Sequence, residues 1–557
     1  MGLRLYDDAR AFAAALSESS GALYSILNPD RFDPAEILSL AERAARHGHE
    51  DLLASTALRD AALREVIAFF DEAGQLDPDW QFAYSSKVVL SIPGWQDLQK
   101  LFLARGAIAE GREVLLLVPD APLRRLVHAM LASTSARAGA LPGRRAWARF
   151  ARTLLRTMLN RADAEPYRTV IFTLSVGAPR HASDPYFGTL PAVLSRHAPT
   201  LVVYLASGGT LRLPAGRTRV PFEAFLSPWD VIASWLSALV RGTRAGASPR
   251  HARLAPLHAH LRRTEIASGE YFMQRLMRRG FRRMLECTLP ETVVYAFENR
   301  SFEKHLVAEA HRDGVRAVAY QHSSITPRHL AFRIAPAELA GSRLPHRLVT
   351  IGEVTADLLR TSAPALAGRI TVGASLRTAR QDVRDAATPT VLVAISSSRD
   401  EALSLLQATH AAAARTPCAF IVRTHPTIRV DDLYALFQWG ANVELSARAT
   451  LAEDLSRATL VAYSSSTVAL EGMLYGRLPL FVDIGDLPSG DPIPGEHAFK
   501  LSARDGASLA EAIEHAHALA PEPRQALRVE ARTYAERYLR APTPEALERM
   551  AHVMLSA

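Results

Sequence analysis

The sequence predicts an α/β protein built from two tandem Rossmann-like domains that face a cleft. Strand-like apolar runs recur along most of the chain, and helical segments separate them. The runs are short, rich in β-branched residues and almost continuously apolar, which is typical of parallel strands buried on both faces. The chain has 557 residues, 48% of them apolar and 22% charged, so we expect two or three ordered domains.

The apolar runs fall into two series, and a segment around 333–347 separates them. The first series lies at 87–92, 113–119, 169–176, 200–206, 292–298 and 316–322, and the second at 346–352, 369–374, 390–396, 418–426, 458–466 and 478–484. The predicted organisation is a helical N-terminal region at 1–80, a first Rossmann-like domain at 81–340 with a helical insert at 211–286, a second at 341–540, and a C-terminal helix at 541–557.

Composition and targeting signals exclude several classes of protein. The two cysteines, Cys287 and Cys418, lie far apart without CxxC spacing, which argues against a zinc or disulfide framework and for a reducing compartment. The N-terminal stretch lacks the basic start, apolar core and cleavage site of a signal peptide. No run of 18 or more uncharged apolar residues occurs, so no membrane span is expected. We therefore expect a cytoplasmic protein.

The net charge of +8 is concentrated in one segment. Residues 211–286 hold 14 arginines, no lysine and 5 acidic residues, a local excess of 14 − 5 = +9. Two interpretations stay open: the helices pack on a domain, or they contact a polyanionic acceptor or the anionic inner face of the cytoplasmic membrane. The membrane interpretation uses Phe222, Phe225, Trp229, Trp235, Arg278, Arg279, Arg282 and Arg283. Nucleic acid is not expected, because no recognition motif accompanies the arginines.

Polar side chains follow three strands of the second series. Ser464, Ser465, Ser466 and Thr467 stand where one strand ends and a helix begins, and Ser396 and Ser397 stand at another such turn. One serine is enough to cap a helix. Several hydroxyls beside free backbone N–H groups and the positive end of a helix dipole favour an anion.

A His-Pro pair ends a third strand. His425 lies at the mouth of the predicted sheet, and Pro426 stops the strand. A histidine there can donate a hydrogen bond to a phosphate oxygen, and it adds charge if it is protonated. Glu471 follows the serines by one to two helical turns, within reach of ribose hydroxyls. A structural histidine and a solvated helix glutamate are the plain alternatives.

The run "VRTHP", followed by "YSSSTVALEGMLYG", resembles the nucleotide domain of GT-B glycosyltransferases that use CMP-activated 2-keto acids, the bacterial sialyltransferases and Kdo transferases. The stretches at 184–207 and 294–325 are similar to a family of bacterial surface-carbohydrate biosynthesis. These stretches cover a minority of the chain, and residues 1–80 and the arginine-rich insert match nothing in either family. The resemblance implies transfer of a sialic-acid-like or Kdo sugar to a capsule, O-antigen or lipopolysaccharide glycan.

The resemblance also implies roles for individual residues. CMP would lie in the second domain, with His425 and the serine turn on the phosphate and Glu471 on the ribose. Asp184 and Glu298, from the acceptor-side first domain, fit the catalytic carboxylate. Arg300 and His322 fit the carboxylate of the sugar, since a guanidinium fork matches it in shape and charge. No cofactor is implied beyond the CMP-sugar substrate, and the glycan acceptor is free or lipid-linked.

Metal dependence is not indicated, and other functions stay open. Asp77 and Asp79 form an Asp-x-Asp pair that follows no strand, so it does not fit a metal-diphosphate clamp. The alternatives are a GT-B enzyme with a nucleoside diphosphate donor (a CDP-glycerol-type transferase or a UDP-sugar epimerase) and a non-catalytic glycan-binding protein. A dinucleotide enzyme is disfavoured, because no strand is followed by GxGxxG.

Overall fold

The structure is a computed structural model of the whole chain. It describes all residues except 1, 78, 80, 90–91, 93–94, 133–140, 161–164, 176–183, 207–215, 217, 245–253, 335–337, 340–342, 377–387, 427 and 557. In this part of the chain, three parallel sheets of four, seven and six strands form the framework.

The N-terminal region contains a small parallel sheet, so the prediction of an all-helical 1–80 is wrong. Strands β1 (Leu3–Tyr6), β2 (Leu23–Ile26), β3 (Glu50–Asp51) and β4 (Val114–Leu117) pair in the order β1-β4-β2-β3. Strands of two to four residues are too short to show a period, whereas the helices between them show a clear one. These helices are α1 (Ala9–Glu18), α2 (Pro34–Arg46), α3 (Thr56–Leu76), α4 (Trp95–Ala109) and α5 (Ala121–Ala132).

Two runs of the first series do not belong to the seven-stranded sheet. The run at 113–119 forms β4 of the small sheet. The run at 87–92 forms no strand in its described residues; Lys87 has a left-handed backbone after a 3₁₀ turn at Ala83–Ser86. The positive φ at Lys87 breaks the extended conformation that a strand requires.

The seven-stranded sheet is larger than predicted. It contains β5 (Thr169–Ser175), β6 (Thr200–Ala206), β7 (Arg219–Pro221), β8 (Thr292–Ala296), β9 (Arg316–Tyr320), β10 (Arg347–Thr350) and β11 (Ile370–Val372). The order is β11-β10-β9-β8-β5-β6-β7, with parallel pairing throughout. Because β10 pairs with β9 and β11 pairs with β10, the predicted boundary at 340/341 divides one sheet and has to move beyond β11.

The arginine-rich segment packs on this sheet as α8 (Pro228–Arg244), α9 (Ala255–Ser268) and α10 (Glu270–Thr288); its residues 211–215, 217 and 245–253 lie outside the described chain. Phe222, Phe225 and Trp235 are buried in the core. Arg278 and Arg282 pair with Glu309 at 3.0 and 3.1 Å, and Arg283 pairs with Asp230 at 2.7 Å. The predicted membrane face therefore does not form as one surface, because three of its four aromatic side chains are core and three of its four arginines are in ion pairs; of the aromatic residues only Trp229 is exposed.

Four more helices surround the seven-stranded sheet. They are α6 (Arg144–Leu159), α7 (Leu190–Ser195), α11 (Ser301–Arg312) and α12 (Glu353–Ser362). Helix α6 packs beside α8, where the rings of Trp147 and Trp235 lie 4.6 Å apart.

The six-stranded sheet has the order β14-β13-β12-β15-β16-β17, and all its pairs are parallel. Its strands are β12 (Thr390–Ala394), β13 (Ala419–Arg423), β14 (Val443–Leu445), β15 (Leu460–Tyr463), β16 (Leu478–Val482) and β17 (Leu501–Ala503). Its helices are α13 (Arg399–Ala413), α14 (Asp431–Tyr434), α15 (Leu451–Arg457), α16 (Val468–Leu474) and α17 (Gly506–Ala518). With the seven-stranded sheet it confirms the prediction of two Rossmann-like domains.

The C-terminal segment returns from the six-stranded sheet to the seven-stranded one. Helix α18 (Pro521–Tyr538) ends beside β10, where the Arg540 N–H donates to the Ile351 carbonyl at 3.0 Å. Helix α19 (Pro544–Leu555) then packs on α7 and β8. Gly352 lies under this crossing, and a Cβ there would come within 2.3 Å of the Arg537 and Tyr538 carbonyl oxygens.

We therefore expect Gly352→Ala to destabilise the protein by about 1–3 kcal/mol, the usual cost of overpacking. The backbone of the crossing segment has to move to admit the methyl group. Urea unfolding would measure the change in midpoint. Gly368→Ala is the matched control, since no atom lies within 4 Å of its added Cβ. Equal midpoints for the two variants would contradict this account of the crossing.

Candidate active site

The carboxyl edge of the six-stranded sheet carries the predicted nucleotide-binding residues. In the order β13-β12-β15, the three neighbouring strands deliver His425, the turn Ser396–Ser398 and the turn Ser464–Thr467 to one edge. Parallel strands place their carboxyl ends together, and ligands of open α/β sheets bind there. The structure thus brings together three groups that stand about 30 to 70 residues apart in sequence.

In the turn Ser464–Thr467, some of the serine hydroxyls already have partners within the protein, unlike those of a simple phosphate-binding turn. Helix α16 has seven residues, so its dipole is short. Ser465 donates to the Glu401 carboxylate at 2.5 Å, and Ser466 accepts from the Val468 N–H at 3.3 Å. Ser464 is buried, and its hydroxyl has no hydrogen-bond partner in the described residues. Thr467 is exposed, and Glu471 is half-buried in the first turn of α16.

The first serine turn and His425 complete this edge. Ser396 is buried and Ser397 exposed, while Ser398 caps α13. His425 is half-buried and Pro426 exposed. Burial lowers the pKa of His425. The imidazole is therefore neutral at pH 7 and can donate one hydrogen bond, but it adds no positive charge there.

The opposite edge, from the seven-stranded sheet, presents Glu298, Arg300 and His322. Glu298 follows β8, and its Oε2 accepts from the Arg300 Nε at 2.5 Å. His322 follows β9, and its Nε2 lies 3.5 Å from the Glu298 Oε1. The edge of the Tyr186 ring packs on the imidazole. Burial alone would raise the pKa of Glu298, but the charges of Arg300 and His322 outweigh it and hold this pKa below its ordinary value. Glu298 is therefore ionised at neutral pH.

Glu303 positions Glu298 and was missed by sequence reasoning. Its Oε2 accepts from the backbone N–H groups of Glu298 and Asn299 at 3.0 and 2.7 Å. Burial, with the nearby charge of Glu298, raises the pKa of Glu303 to about 8. Asn299 has φ = 57° and donates to the Ala331 carbonyl at 2.6 Å. A strand-end Glu-Asn five residues before a second glutamate was the available signal.

Asp184 is held in a turn rather than presented to the cleft. Its Oδ1 accepts from the N–H groups of Tyr186 and Phe187 at 2.9 and 3.0 Å, and from the Thr173 hydroxyl at 3.0 Å. The side chain is buried, with Arg219 at 3.7 Å from the other oxygen. This geometry is that of an Asp-Pro turn residue, whose side chain accepts from the backbone N–H groups that follow it.

The Asp-x-Asp pair also serves the local structure. Asp77 accepts from the Phe82 N–H at 2.8 Å and the Ser85 hydroxyl at 2.9 Å. Asp79 lies 3.5 Å from Arg343. Both carboxylates thus lie outside the two facing sheet edges.

Arg328 joins the two edges and was also missed. It lies in the loop after β9, and its Nη1 donates to the Glu401 Oε1 at 2.8 Å while its Nη2 contacts Asp486. Glu401 begins α13 and Asp486 follows β16, so both carboxylates belong to the six-stranded unit. Burial raises the pKa of Asp486 to about 7, against the opposing charge of Arg328.

The N-terminal unit closes the same region from another side. Gln99 of α4 accepts from the Leu487 N–H at 2.8 Å, Gln96 donates to Ser398, and Arg59 of α3 pairs with Asp483 at 2.7 Å. A cavity of about 360 Å³ lies between this unit and α13. Its lining mixes apolar side chains with charged ones, a chemistry that suits a hydroxyl-rich ring; it includes Tyr24, Phe32, Asp51, Lys100, Arg399 and Asp486.

No protein-family model and no curated protein sequence matches the chain. Solved structures with a similar arrangement include the calicheamicin glycosyltransferase CalG4, at 14% identity over 70% of this chain and 98% of that one, with a TM-score of 0.42. HepE from Anabaena, in complex with UDP and glucose, has 13% identity over 70% and 100%, with a TM-score of 0.42. UDP-N-acetylglucosamine 2-epimerase from Rickettsia bellii has 10% identity over 70% and 96%, with a TM-score of 0.37. Sequence identities and TM-scores this low say nothing about the chemistry of this chain.

We expect Arg328→Met to destabilise the protein by about 3–5 kcal/mol, because it leaves two largely buried carboxylates without their cation. The loss of stability in Arg328→Met relative to the wild type should become smaller as the pH falls from 8 to 5. Asp486, whose pKa is already raised, takes up a proton over this range and no longer needs the guanidinium. Urea unfolding at several pH values measures this.

Arg399→Met is the control for the loss of an arginine. Its partner Asp432 lies 2.5 Å away, but both side chains are more than one-third exposed, so the pair contributes less than about 1 kcal/mol. An Arg328→Met deficit as small as that of the control, or one independent of pH, would count against the role of Arg328 as the cation of this cluster.

Proposed function

We propose that this protein is a glycosyltransferase that takes a sugar from a nucleotide donor. The observation that carries the proposal is the opposition of two chemically different sheet edges. The edge with His425 and the two serine turns offers neutral hydrogen-bond donors for a phosphate. The edge with Glu298, Arg300 and His322 offers an ionised carboxylate, a guanidinium and an imidazole for the reacting sugar. Group transfer between two bound substrates needs such a division of labour.

The donor we propose is a CMP-linked 2-keto sugar acid, and the acceptor a growing bacterial surface glycan. The motifs around His425 and Ser464–Ser466 support this choice, and hydrogen-bond donors without a full positive charge suit a single leaving phosphate. Arg300 contacts only Oε2 of Glu298 in the described contacts. A guanidinium has five N–H donors, so it can share this carboxylate with that of the sugar.

Glu298 is the carboxylate we place at the reaction centre. The bond between the sugar and the CMP phosphate breaks, the acceptor oxygen bonds to the sugar, and the proton of the acceptor hydroxyl goes to a phosphate oxygen of the departing CMP. A carboxylate with a lowered pKa is a weak general base, so Glu298 is better suited to stabilise positive charge on the sugar or to attack it. Asp184, whose Oδ1 is used by the turn, has a structural role in this proposal.

The nucleotide test compares CMP with UMP, CDP, UDP and GDP by thermal shift, with and without EDTA. CMP should stabilise the protein by RT ln(1 + [L]/Kd), about 2.7 kcal/mol at a hundredfold excess over Kd. EDTA should leave the stabilisation unchanged. His425→Ala should lose most of it, and His515→Ala, an exposed histidine of the same unit, should lose none. Stabilisation by UDP and not CMP would assign a nucleoside diphosphate donor instead.

The catalytic test compares Glu298→Gln with Asp184→Asn. Glu298→Gln should keep CMP binding and lose at least about a hundredfold in transfer rate. Asp184→Asn should transfer sugar nearly normally per folded molecule but lose about 1–3 kcal/mol of stability, since the acceptor of two backbone N–H groups loses its charge and an amide nitrogen then faces Arg219. Radiolabelled sugar transfer and urea unfolding give the two readouts. Normal transfer by Glu298→Gln would rule out our placement of the reaction centre.

A further inference from the structure

Two adjacent helices expose apolar side chains that a folded protein normally covers. The described residues include eleven large apolar side chains with high exposure, and seven of them lie on α6 and α8. Trp229 is 70% exposed and Trp147 51%. Single exposed apolar residues are normal on a protein surface, whereas a contiguous group of them marks an interaction site. We name these residues the α6/α8 patch: Trp147, Leu155, Met158, Leu159, Trp229, Leu236 and Val240.

On each helix the exposed apolar residues form a stripe along one face, as their spacing shows. On α6 the exposed residues recur at intervals of eight, three and one, and on α8 at intervals of seven and four. These intervals fall on one face of an α-helix. The helices touch through Trp147 and the buried Trp235, whose rings are 4.6 Å apart, so the two stripes lie on neighbouring helices.

Arginines border the patch and no acid interrupts it on α6. The 16 residues of α6 include five arginines, no lysine and no acidic residue. Arg149 pairs with Glu270 at 2.9 Å, and Arg156 is buried against Glu223 at 3.0 Å. The other three, Arg144, Arg145 and Arg152, are exposed.

We infer that the α6/α8 patch docks this protein on an anionic lipid surface. Tryptophan side chains are enriched at the boundary between headgroups and acyl chains, and arginines beside them attract anionic headgroups. The core of a protein–protein interface is depleted in charge, whereas here the basic side chains lie on the helix that carries most of the patch. Each arginine near such a surface contributes about fivefold to binding, so the three together contribute on the order of a hundredfold.

None of the helices in the described residues has the length and apolar character needed to cross a bilayer. The proposed contact is therefore peripheral and sensitive to salt, because the arginine contribution is screened as ionic strength rises. It does not depend on which nucleotide the cleft accepts.

The test is co-sedimentation of the full chain with two kinds of vesicle. One is phosphatidylcholine alone, and in the other about one-third (30–40%) of the lipid is phosphatidylglycerol. Each is tested at low salt and at about 0.5 M salt. The protein should sediment with the mixed vesicles at low salt only. Trp229→Ser with Leu236→Ser should reduce binding at least about tenfold by removing apolar contact. Replacing Arg144, Arg145 and Arg152 with serine should reduce it on the order of a hundredfold.

A control triple variant makes the same charge change elsewhere, with serine at Arg10, Arg448 and Arg504, which are exposed and distant in sequence from α6. It should sediment like the wild type. Circular dichroism melting and CMP binding should be unchanged in all variants, which separates loss of docking from misfolding and from failure of the nucleotide proposal. Wild type that stays in solution at low salt, or an equal loss in the control, overturns the inference. The inference is also overturned if the wild type does not bind vesicles but forms a dimer in ultracentrifugation, and if Trp229→Ser dissociates that dimer.

Discussion

The contact of Arg328 with Glu401 and Asp486 is the constraint on which the geometry of the cleft depends. One guanidinium from the seven-stranded unit lies between two carboxylates of the six-stranded unit, and all three side chains are largely buried. Without the cation, the carboxylates would repel each other in a region of low dielectric. The cation thus holds the two sheet edges at one separation, and the N-terminal helices add Gln99 beside the same cluster.

The same cluster reaches both halves of the candidate site. Glu401 accepts from Ser465, within the serine turn on one side. His329, next to Arg328, is close enough to Glu298 for the negative charge of that carboxylate to act on the pKa of the imidazole. Burial in turn lowers the pKa of His329 to about 4, so it stays neutral at pH 7. The ion cluster therefore lies next to residues of both edges of the candidate site.

The sequence predicted the strands of the sheets where the apolar runs were long enough to show a pattern. The strands β5 and β15 lie in largely apolar runs and were expected, whereas β3 has two residues and no detectable period. The boundary was misplaced because β10 and β11 look like any other buried parallel strand. His425, Glu298 and the serine turns were predictable since strand ends converge. Arg328 was not, because its partners lie 73 and 158 residues away and leave no local pattern.

Composition located the positive charge but not the surface that uses it. The richest arginine segment, around α10, directs much of its charge inward to Glu309 and Asp230, and its aromatic residues fill the core. Helix α6 has five arginines, as many as α10, and Arg144, Arg145 and Arg152 are exposed on the helix that carries Trp147 and Leu155. An ion pair within the fold already neutralises most of the field of an arginine, so its attraction for an external anion is small. The exposed fraction and the partner of each guanidinium, rather than the count of arginines, therefore decide which face of the protein can meet an anionic surface.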